Sequence, residues 1–183
     1  CARGPRPACR PRLRAGPRRH RHPQRGRHQP DRRAPFRLRI AAGGGSYGGF
    51  LPSTLLGRDH PFQTLVAHAA VYNQYTQLAS DYGAEKPRFG YFWERPEEFA
   101  SYSPHTFAAK FATPTLVIHG QADLRVPVNH GIELFNTLQS KGVPSKLVYF
   151  PDENHWVLKP QNSLFWYQTK REWLAQYVQP GAR

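Results

Sequence analysis

The pattern of apolar and polar positions changes at about residue 38, and from there on the chain reads as a succession of short elements. Runs of β-branched and aliphatic residues bounded by proline, glycine or polar residues predict four strands, at 39–42, 64–70, 115–119 and 146–150. Helices are predicted near 46–56, 128–140 and 163–178. Because strands that alternate with helices form a parallel sheet with flanking helices, the predicted fold class is α/β.

Two of these helices have an apolar stripe and a stop signal. Ile132, Phe135 and Leu138 repeat at helical spacing, and Gly142 follows as the predicted end of that helix. The last helix is predicted to end before a proline, and its core-facing stripe is Leu164, Tyr167, Leu174 and Val178. The stretch between the second and third strands is predicted to be a long irregular or helical insert.

A glycine-rich turn links the first strand to the first helix. Gly44, Ser46 and Gly48 form G-x-S-x-G, the pattern of a nucleophile elbow, in which a strained serine sits between a strand and a helix. A side chain two residues away on either side is expected to crowd such a turn. Gly43, Gly45 and Gly48 also satisfy the dinucleotide pattern G-x-G-x-x-G, but no acidic residue ends the next strand, and a plain glycine-rich loop is a further alternative.

An acidic residue and a histidine follow later strands in the order that an elbow requires. Asp123 comes just after the strand at 115–119, and His155 comes just after the strand at 146–150. Since ligands of parallel α/β sheets bind outside the carboxyl ends of the strands, Ser46, Asp123 and His155 are predicted to gather at one edge. The order Ser, Asp, His is that of the α/β-hydrolases.

With these residues in place, the chain resembles the prolyl oligopeptidase family of serine peptidases, in its acylaminoacyl-peptidase and dipeptidyl-peptidase-like branch. The similarity runs from about residue 39 to 178 and matches the C-terminal part of that family's catalytic domain, a partial α/β-hydrolase fold. It implies Ser46 as nucleophile, Asp123 as the acid and His155 as the base. The motifs that carry it are residues 44–49, 103–104, 113–120, 123, 125–128, 142–145 and 150–155.

The chemistry expected of these residues is acyl transfer. His155 would remove the Ser46 proton during attack on a peptide carbonyl, and Asp123 would orient the imidazole. The backbone N–H of Tyr47 would be one oxyanion donor, and the family's second donor, which comes from an upstream segment, is not found. The expected substrate is a short peptide. A carboxylesterase or lipase on the same fold, and a non-catalytic fragment that retains the triad residues, are the alternatives.

Residues 1–38 have a composition of their own. The first 39 residues contain 14 arginines, seven prolines, both cysteines and one acidic residue, and their net charge of +13 accounts for nearly all of the chain's +14. An arginine-rich arm for nucleic acid, a transit peptide and a GC-rich coding region read in the wrong frame are the three interpretations. We favour the frame error because lysine and serine are absent from the segment, and we predict a disordered tail at 1–38 followed by one domain at 39–183.

Several further expectations complete the prediction. A start at Cys1 and the absence of methionine predict a truncated chain, weakly active or inactive as given. No cofactor, metal, nucleic-acid or membrane partner is expected, and the oligomeric state stays open. The lack of cysteine after residue 39 leaves the compartment open, with the cytoplasm favoured. His119 is expected to be structural. Arg125 is expected to pair with a carboxylate or to cap its loop. Four other histidines show no metal-ligand spacing and are expected to be surface or core residues: His60, His68, His105 and His130.

Overall fold

The structure, a computed structural model, describes residues 39–82 and 90–178. The predicted tail at 1–38 lies outside these ranges. So does Phe89, the first aromatic residue of a group in the insert that continues with Tyr91, Phe92 and Trp93. The described chain forms four strands and five α-helices with one 3₁₀ helix, Pro104–Lys110. The strands are β1 Ala41–Gly45, β2 Thr64–His68, β3 Thr115–Gly120 and β4 Ser145–Phe150, and the helices are α1 Tyr47–Leu55, α2 Gln74–Gln77, α3 Pro96–Ser101, α4 Asn129–Ser140 and α5 Pro160–Val178.

The four strands pair in sequence order, β1-β2-β3-β4, and every pair is parallel. This confirms the predicted α/β class with a parallel sheet and flanking helices. The first four of the five residues of β2 are buried, and so are all six residues of β3. Burial on both faces of the sheet explains why the centre of each strand is a continuous apolar run in the sequence. The parallel arrangement brings the carboxyl ends of all four strands to one edge of the sheet.

Helices cover both faces of this sheet. On one face, Leu56 after α1 and Leu134 and Leu138 of α4 pack with Leu65 and Val117 of the central strands. On the other face, Trp173 of α5 packs with a second set of sheet residues, namely Val66, Leu116, Ile118, Val148 and Phe150. The sheet is therefore the middle layer of a three-layer sandwich.

The predicted stripes of α4 and α5 are partly wrong. In α4 the buried positions include Leu134 and Leu138, whereas Ile132 is exposed. In α5 the buried residues are Thr169 and Trp173, and the predicted Leu164 and Tyr167 lie largely in solvent. The indole N–H of Trp173 donates a hydrogen bond to Thr64 Oγ1 at 2.7 Å, which links α5 to the start of β2 inside the core. Trp166, Leu174 and Tyr177 pack on the same face, so the sheet-facing stripe of α5 is Trp166, Trp173, Leu174 and Tyr177, and of the predicted stripe Leu174 belongs to it.

The insert between β2 and β3 is helical in part, as expected. Its aromatic residues pack mainly with one another: the Tyr91 and Trp93 rings stack with centroids 4.4 Å apart, and Phe92 meets Tyr75 and Phe99. Trp93 remains largely exposed whereas Phe99 is buried, so the cluster extends from the surface of the insert into the core.

Candidate active site

Ser46 occupies the sharp turn between β1 and α1. Its backbone has φ 59° and ψ −125°, a conformation that costs a non-glycine residue on the order of 1–3 kcal/mol. The Ser46 N–H donates to His68 O at 3.0 Å, and the Ser46 carbonyl accepts from the N–H groups of Gly49 and Phe50. These bonds hold the strained turn, so the serine hydroxyl is presented at the carboxyl edge of the sheet.

The glycines flanking the serine contribute unequally. A Cβ atom at position 44 would overlap the carbonyl oxygen of Gly48, so the turn requires glycine there. A Cβ atom at position 48 would meet no atom within 4 Å beyond the helix's own backbone. The expectation that a side chain would be crowded on either side of the serine is therefore right for Gly44 and wrong for Gly48. The end of β1 passes close to the first turn of α1 at position 44, whereas position 48 faces open space.

Asp123 lies buried in the loop that follows β3. One carboxylate oxygen accepts from the backbone N–H groups of Arg125 at 3.0 Å and Val126 at 2.8 Å. The other accepts from His155 Nδ1 at 2.8 Å, and His119 Nε2 lies 3.4 Å from it. Burial alone raises the pKa of this carboxyl, but the hydrogen bonds from His119, Val126 and His155 outweigh it and hold the pKa below its usual value. Asp123 is therefore an ionised acceptor.

His155 receives its orientation from that carboxylate. Because an ionised Asp123 can only accept, Nδ1 carries the proton and Nε2 has a free lone pair. The loop that carries His155 is held by Glu153, whose buried carboxylate accepts from the N–H groups of Leu158 and Lys159 and from the Asn162 side chain. A Cβ atom at Gly120 would overlap the Asn154 carbonyl oxygen, so the end of β3 must be glycine for this loop to pass.

Ser46 and His155 border one cavity of about 640 Å³. The rest of its lining is Asp81, Ala122, Leu124, Arg125, Asn154 and Trp156. Within the described ranges, His155 is joined by a hydrogen bond to Asp123 and not to Ser46. Hydrogen bonds between a nucleophile and its base are often long without substrate and shorten in the complex, so this geometry suits a serine, histidine and aspartate acting in series.

Tyr47 begins α1 directly after the serine. The first N–H groups of a helix have no acceptor within the helix, and they carry the positive end of its dipole. The Tyr47 N–H is thus one of these groups and directly follows Ser46 in the chain, and its role as an oxyanion donor stays a prediction.

Other predicted polar residues take supporting positions. His119 is fully buried and donates to Val126 O at 2.8 Å, a structural contact in the Asp123 loop. Arg125 pairs with Asp81, its Nε lying 2.8 Å from Oδ1. Burial lowers the pKa of His68 to about 4, with the nearby His119 and His155 adding to the effect.

Asp81, Leu124 and Trp156 are cavity residues that the sequence analysis did not select. Leu124 and Trp156 directly follow Asp123 and His155, and that adjacency was the one signal available for them. Asp81 reaches the cavity through the insert, where its N–H bonds to Leu124 O at 2.7 Å, and no local pattern indicates this.

Among residues 39–82 and 90–178, no three or more His, Cys, Asp or Glu side chains are grouped so that they could hold a metal ion. Nor does that part of the chain contain a helix both long and apolar enough to span a membrane.

Comparison with known proteins places this arrangement in a family. The sequence model of the prolyl oligopeptidase family matches residues 37–181. A probable dipeptidyl-peptidase 5 of Emericella nidulans is 39% identical over 145 residues, which cover 76% of this chain and 20% of the relative. Dipeptidyl-peptidase 5 of Porphyromonas gingivalis is 38% identical over 148 residues, 76% of this chain and 22% of the relative. The chain thus spans about a fifth of the length of the curated relatives it matches.

Solved structures agree on the fold. The acylaminoacyl peptidase of Pyrococcus horikoshii superimposes with a TM-score of 0.72 at 22% identity, over 80% of this chain and 25% of that one. An acylaminoacyl peptidase solved in complex with Z-Gly-Gly-Phe-chloromethyl ketone gives the same TM-score, identity and coverage. At this identity the likeness supports the α/β-hydrolase peptidase fold.

Proposed function

The chain belongs to the prolyl oligopeptidase family, and we propose that it hydrolyses peptide bonds of short peptides through Ser46, His155 and Asp123. One observation carries the proposal: the Asp123–His155 hydrogen bond of 2.8 Å ends at a cavity that Ser46 also borders. A structural histidine–aspartate pair would not need a strained serine at the same cavity. The family match explains why these three groups occur together.

The reaction follows from the protonation states. His155 Nε2 takes the proton of Ser46 Oγ while Oγ bonds to the scissile carbonyl carbon. The carbonyl oxygen becomes negative and faces the Tyr47 N–H at the start of α1. The C–N bond then breaks, the departing amine receives the proton from His155, and an acyl-enzyme remains. In the second half of the reaction, His155 takes a proton from a water molecule as the water oxygen bonds to the ester carbon. His155 then returns the proton to Ser46 Oγ as the ester bond breaks, which releases the acyl part as a carboxylic acid and regenerates Ser46.

The substrate class rests on the relatives. The relatives from Emericella nidulans and Porphyromonas gingivalis are described as dipeptidyl-peptidase 5, the first as a probable one. A structural neighbour, an acylaminoacyl peptidase, was solved in complex with a chloromethyl ketone derived from a tripeptide. We therefore propose peptides, and among them substrates that release a dipeptide, over the carboxylic esters of a lipase-type hydrolase.

Labelling by an alkyl fluorophosphonate tests the proposal directly, because the reagent bonds to an activated serine hydroxyl. The protein should be labelled at Ser46 and should hydrolyse a dipeptidyl p-nitroanilide, both slowly, in line with the weak activity expected from the sequence. Ser46→Ala should abolish both, and Asp123→Asn should slow hydrolysis by about 10⁴-fold by favouring the wrong imidazole tautomer. Ser140→Ala, which changes an exposed serine at the end of α4, outside the cavity lining, serves as the matched control. Labelling that persists in Ser46→Ala would refute the assignment of the nucleophile.

A further inference from the structure

The cavity has two chemically different sides, and this difference bears on specificity. Leu124 and Trp156 are large apolar side chains that stay 70% and 59% exposed while lining it. Arg125 and Asp81 line it as well, but they pair with each other at 2.8 Å and leave little net charge. Leu124 and Trp156 thus offer an apolar contact surface beside a self-neutralised ion pair.

The direction of proton transfer decides which part of a substrate meets the apolar pair. The proton that His155 takes from Ser46 must pass to the leaving nitrogen, so that nitrogen approaches His155 Nε2. The residue carrying the nitrogen then lies against the groups that flank His155. Trp156 is the next residue, with its ring centroid 5.1 Å from that of His155 in an edge-to-face arrangement.

Both apolar residues have fixed backbones. The Trp156 N–H donates to Asn154 Oδ1 at 2.9 Å, and Leu124 O accepts from the Asp81 N–H at 2.7 Å. Leu124 follows Asp123, whose hydrogen bonds fix the loop from which it projects. An exposed indole and an exposed leucine held on rigid turns gain stabilisation by covering a third apolar group.

We propose that Leu124 and Trp156 form the subsite for the residue that leaves as the new amino terminus, and that this subsite prefers a large apolar side chain. The inference rests on the proposed function, since it assigns a leaving group to the same site. In the step concerned, the Ser46 Oγ–carbon bond forms, the carbon–nitrogen bond breaks, and the proton from Oγ departs on the amine through His155.

The first test compares two internally quenched peptides that are identical on the acyl side of the scissile bond. They differ in the residue whose amino group is released, which is phenylalanine in one peptide and glycine in the other. The kcat/KM of the natural protein should favour phenylalanine by about tenfold, from the apolar area covered. Trp156→Ala and Leu124→Ala should each reduce that ratio. Trp93→Ala, which removes another largely exposed indole outside the cavity lining, should preserve it. An equal fall for both peptides in Trp156→Ala would overturn the subsite and leave Trp156 as a support for His155.

The second test needs no turnover. Phenylalaninamide and glycinamide mimic the leaving residue, and their binding is followed by the indole N–H resonances in NMR titrations. Phenylalaninamide should shift the Trp156 resonance, glycinamide should not, and Trp93 should respond to neither. Equal effects of the two amides, or none on Trp156, would overturn the inference. Preference for phenylalaninamide without any peptide hydrolysis or serine labelling would instead refute the proposed function while keeping the subsite.

Discussion

At the scale of single residues, the strain at Ser46 is the feature on which the site depends. A serine with φ 59° is held by the bond from its N–H to His68 O and by the start of α1 on its other side. Such strain persists where surrounding contacts over-determine the backbone, and it commonly marks a functional position. The position of the hydroxyl therefore depends on the glycine that lets the strand end pass under the helix, Gly44.

Gly44→Ala and Gly48→Ala form a matched pair that tests this dependence. The first places a Cβ atom on the Gly48 carbonyl oxygen, so the turn must shift, and we expect loss of stability and of fluorophosphonate labelling. The second adds a methyl group to an open helical position, where alanine is favoured over glycine by up to about 1 kcal/mol. Urea unfolding and labelling rates of both variants check the prediction, and equal behaviour of the two would contradict it.

At the scale of elements, strands were easier to predict than helix faces. β2 and β3 each contain three consecutive aliphatic residues with a threonine before them and a histidine after them, and the predicted starts of both strands agree with the structure. β1 runs Ala41–Gly45 and not 39–42, because its last three residues are glycines, which the sequence suggests as part of the turn. In α5 the face toward the sheet carries Trp166, Trp173, Leu174 and Tyr177, which also repeat at helical spacing, while the predicted Leu164 and Tyr167 are exposed. The sequence thus offers two overlapping apolar stripes that share Leu174, and the packing of Trp173 on the sheet, with its bond to Thr64, distinguishes them.

The His155 loop gives a prediction at the same scale. Glu153 is buried and accepts three hydrogen bonds, from Leu158 N, Lys159 N and the Asn162 side chain, and its pKa lies below the usual value because these bonds outweigh the effect of burial. Glu153→Gln replaces one carboxylate oxygen by an NH₂ group, which faces a donor instead of accepting from it. Since Leu158 N and Lys159 N bond to different oxygens of Glu153, amide exchange should become faster by about tenfold or more at one of these two residues.

Asp152→Asn is the control for that loop, because it removes the same charge one residue away. Asp152 bonds to Lys159 Nζ and Asn162 at the surface and to neither of the two amides. Its substitution should leave the exchange of Leu158 and Lys159 near that of the natural protein. Comparable acceleration in both variants would mean that charge, and not the buried hydrogen bonds, orders the loop.

At the scale of the whole molecule, the site is a product of topology. Since β1, β3 and β4 are parallel, the turns that carry Ser46, Asp123 and His155 follow strand ends at one edge of the sheet, and strand order alone predicts this. That the three side chains act together stays a prediction. What strand order cannot predict is the buried polar layer behind them. His119 and His130 are both fully buried. His119 ends a predicted buried strand and was expected to be structural, whereas nothing in the local sequence of His130 distinguishes it from a surface histidine.

This buried layer makes global stability depend on pH. His130 Nδ1 accepts from the N–H groups of Tyr72 and Asn73 at 3.1 and 3.2 Å, which joins α4 to the segment after β2. Burial and, to a smaller extent, the nearby His119 lower the pKa of His130 to about 3, while Asp123 acts in the opposite direction. In the unfolded chain a histidine takes up its proton near pH 6.5. Acidification therefore favours unfolding throughout the range between about pH 6.5 and pH 3, and the stability is fully present only above that range.

His130→Asn tests this linkage, because the asparagine oxygen can still accept from the two N–H groups but does not titrate. Between about pH 7.5 and pH 5, His130 should account for a loss of about 2 kcal/mol in the free energy of unfolding of the natural protein. The variant should start from a lower stability, since its side chain is smaller, but should lose about 2 kcal/mol less over the same interval. Urea unfolding at several pH values measures both slopes. Parallel slopes would show that His130 is already protonated in the fold or is reached by water, and the acid sensitivity would then have to come from other groups.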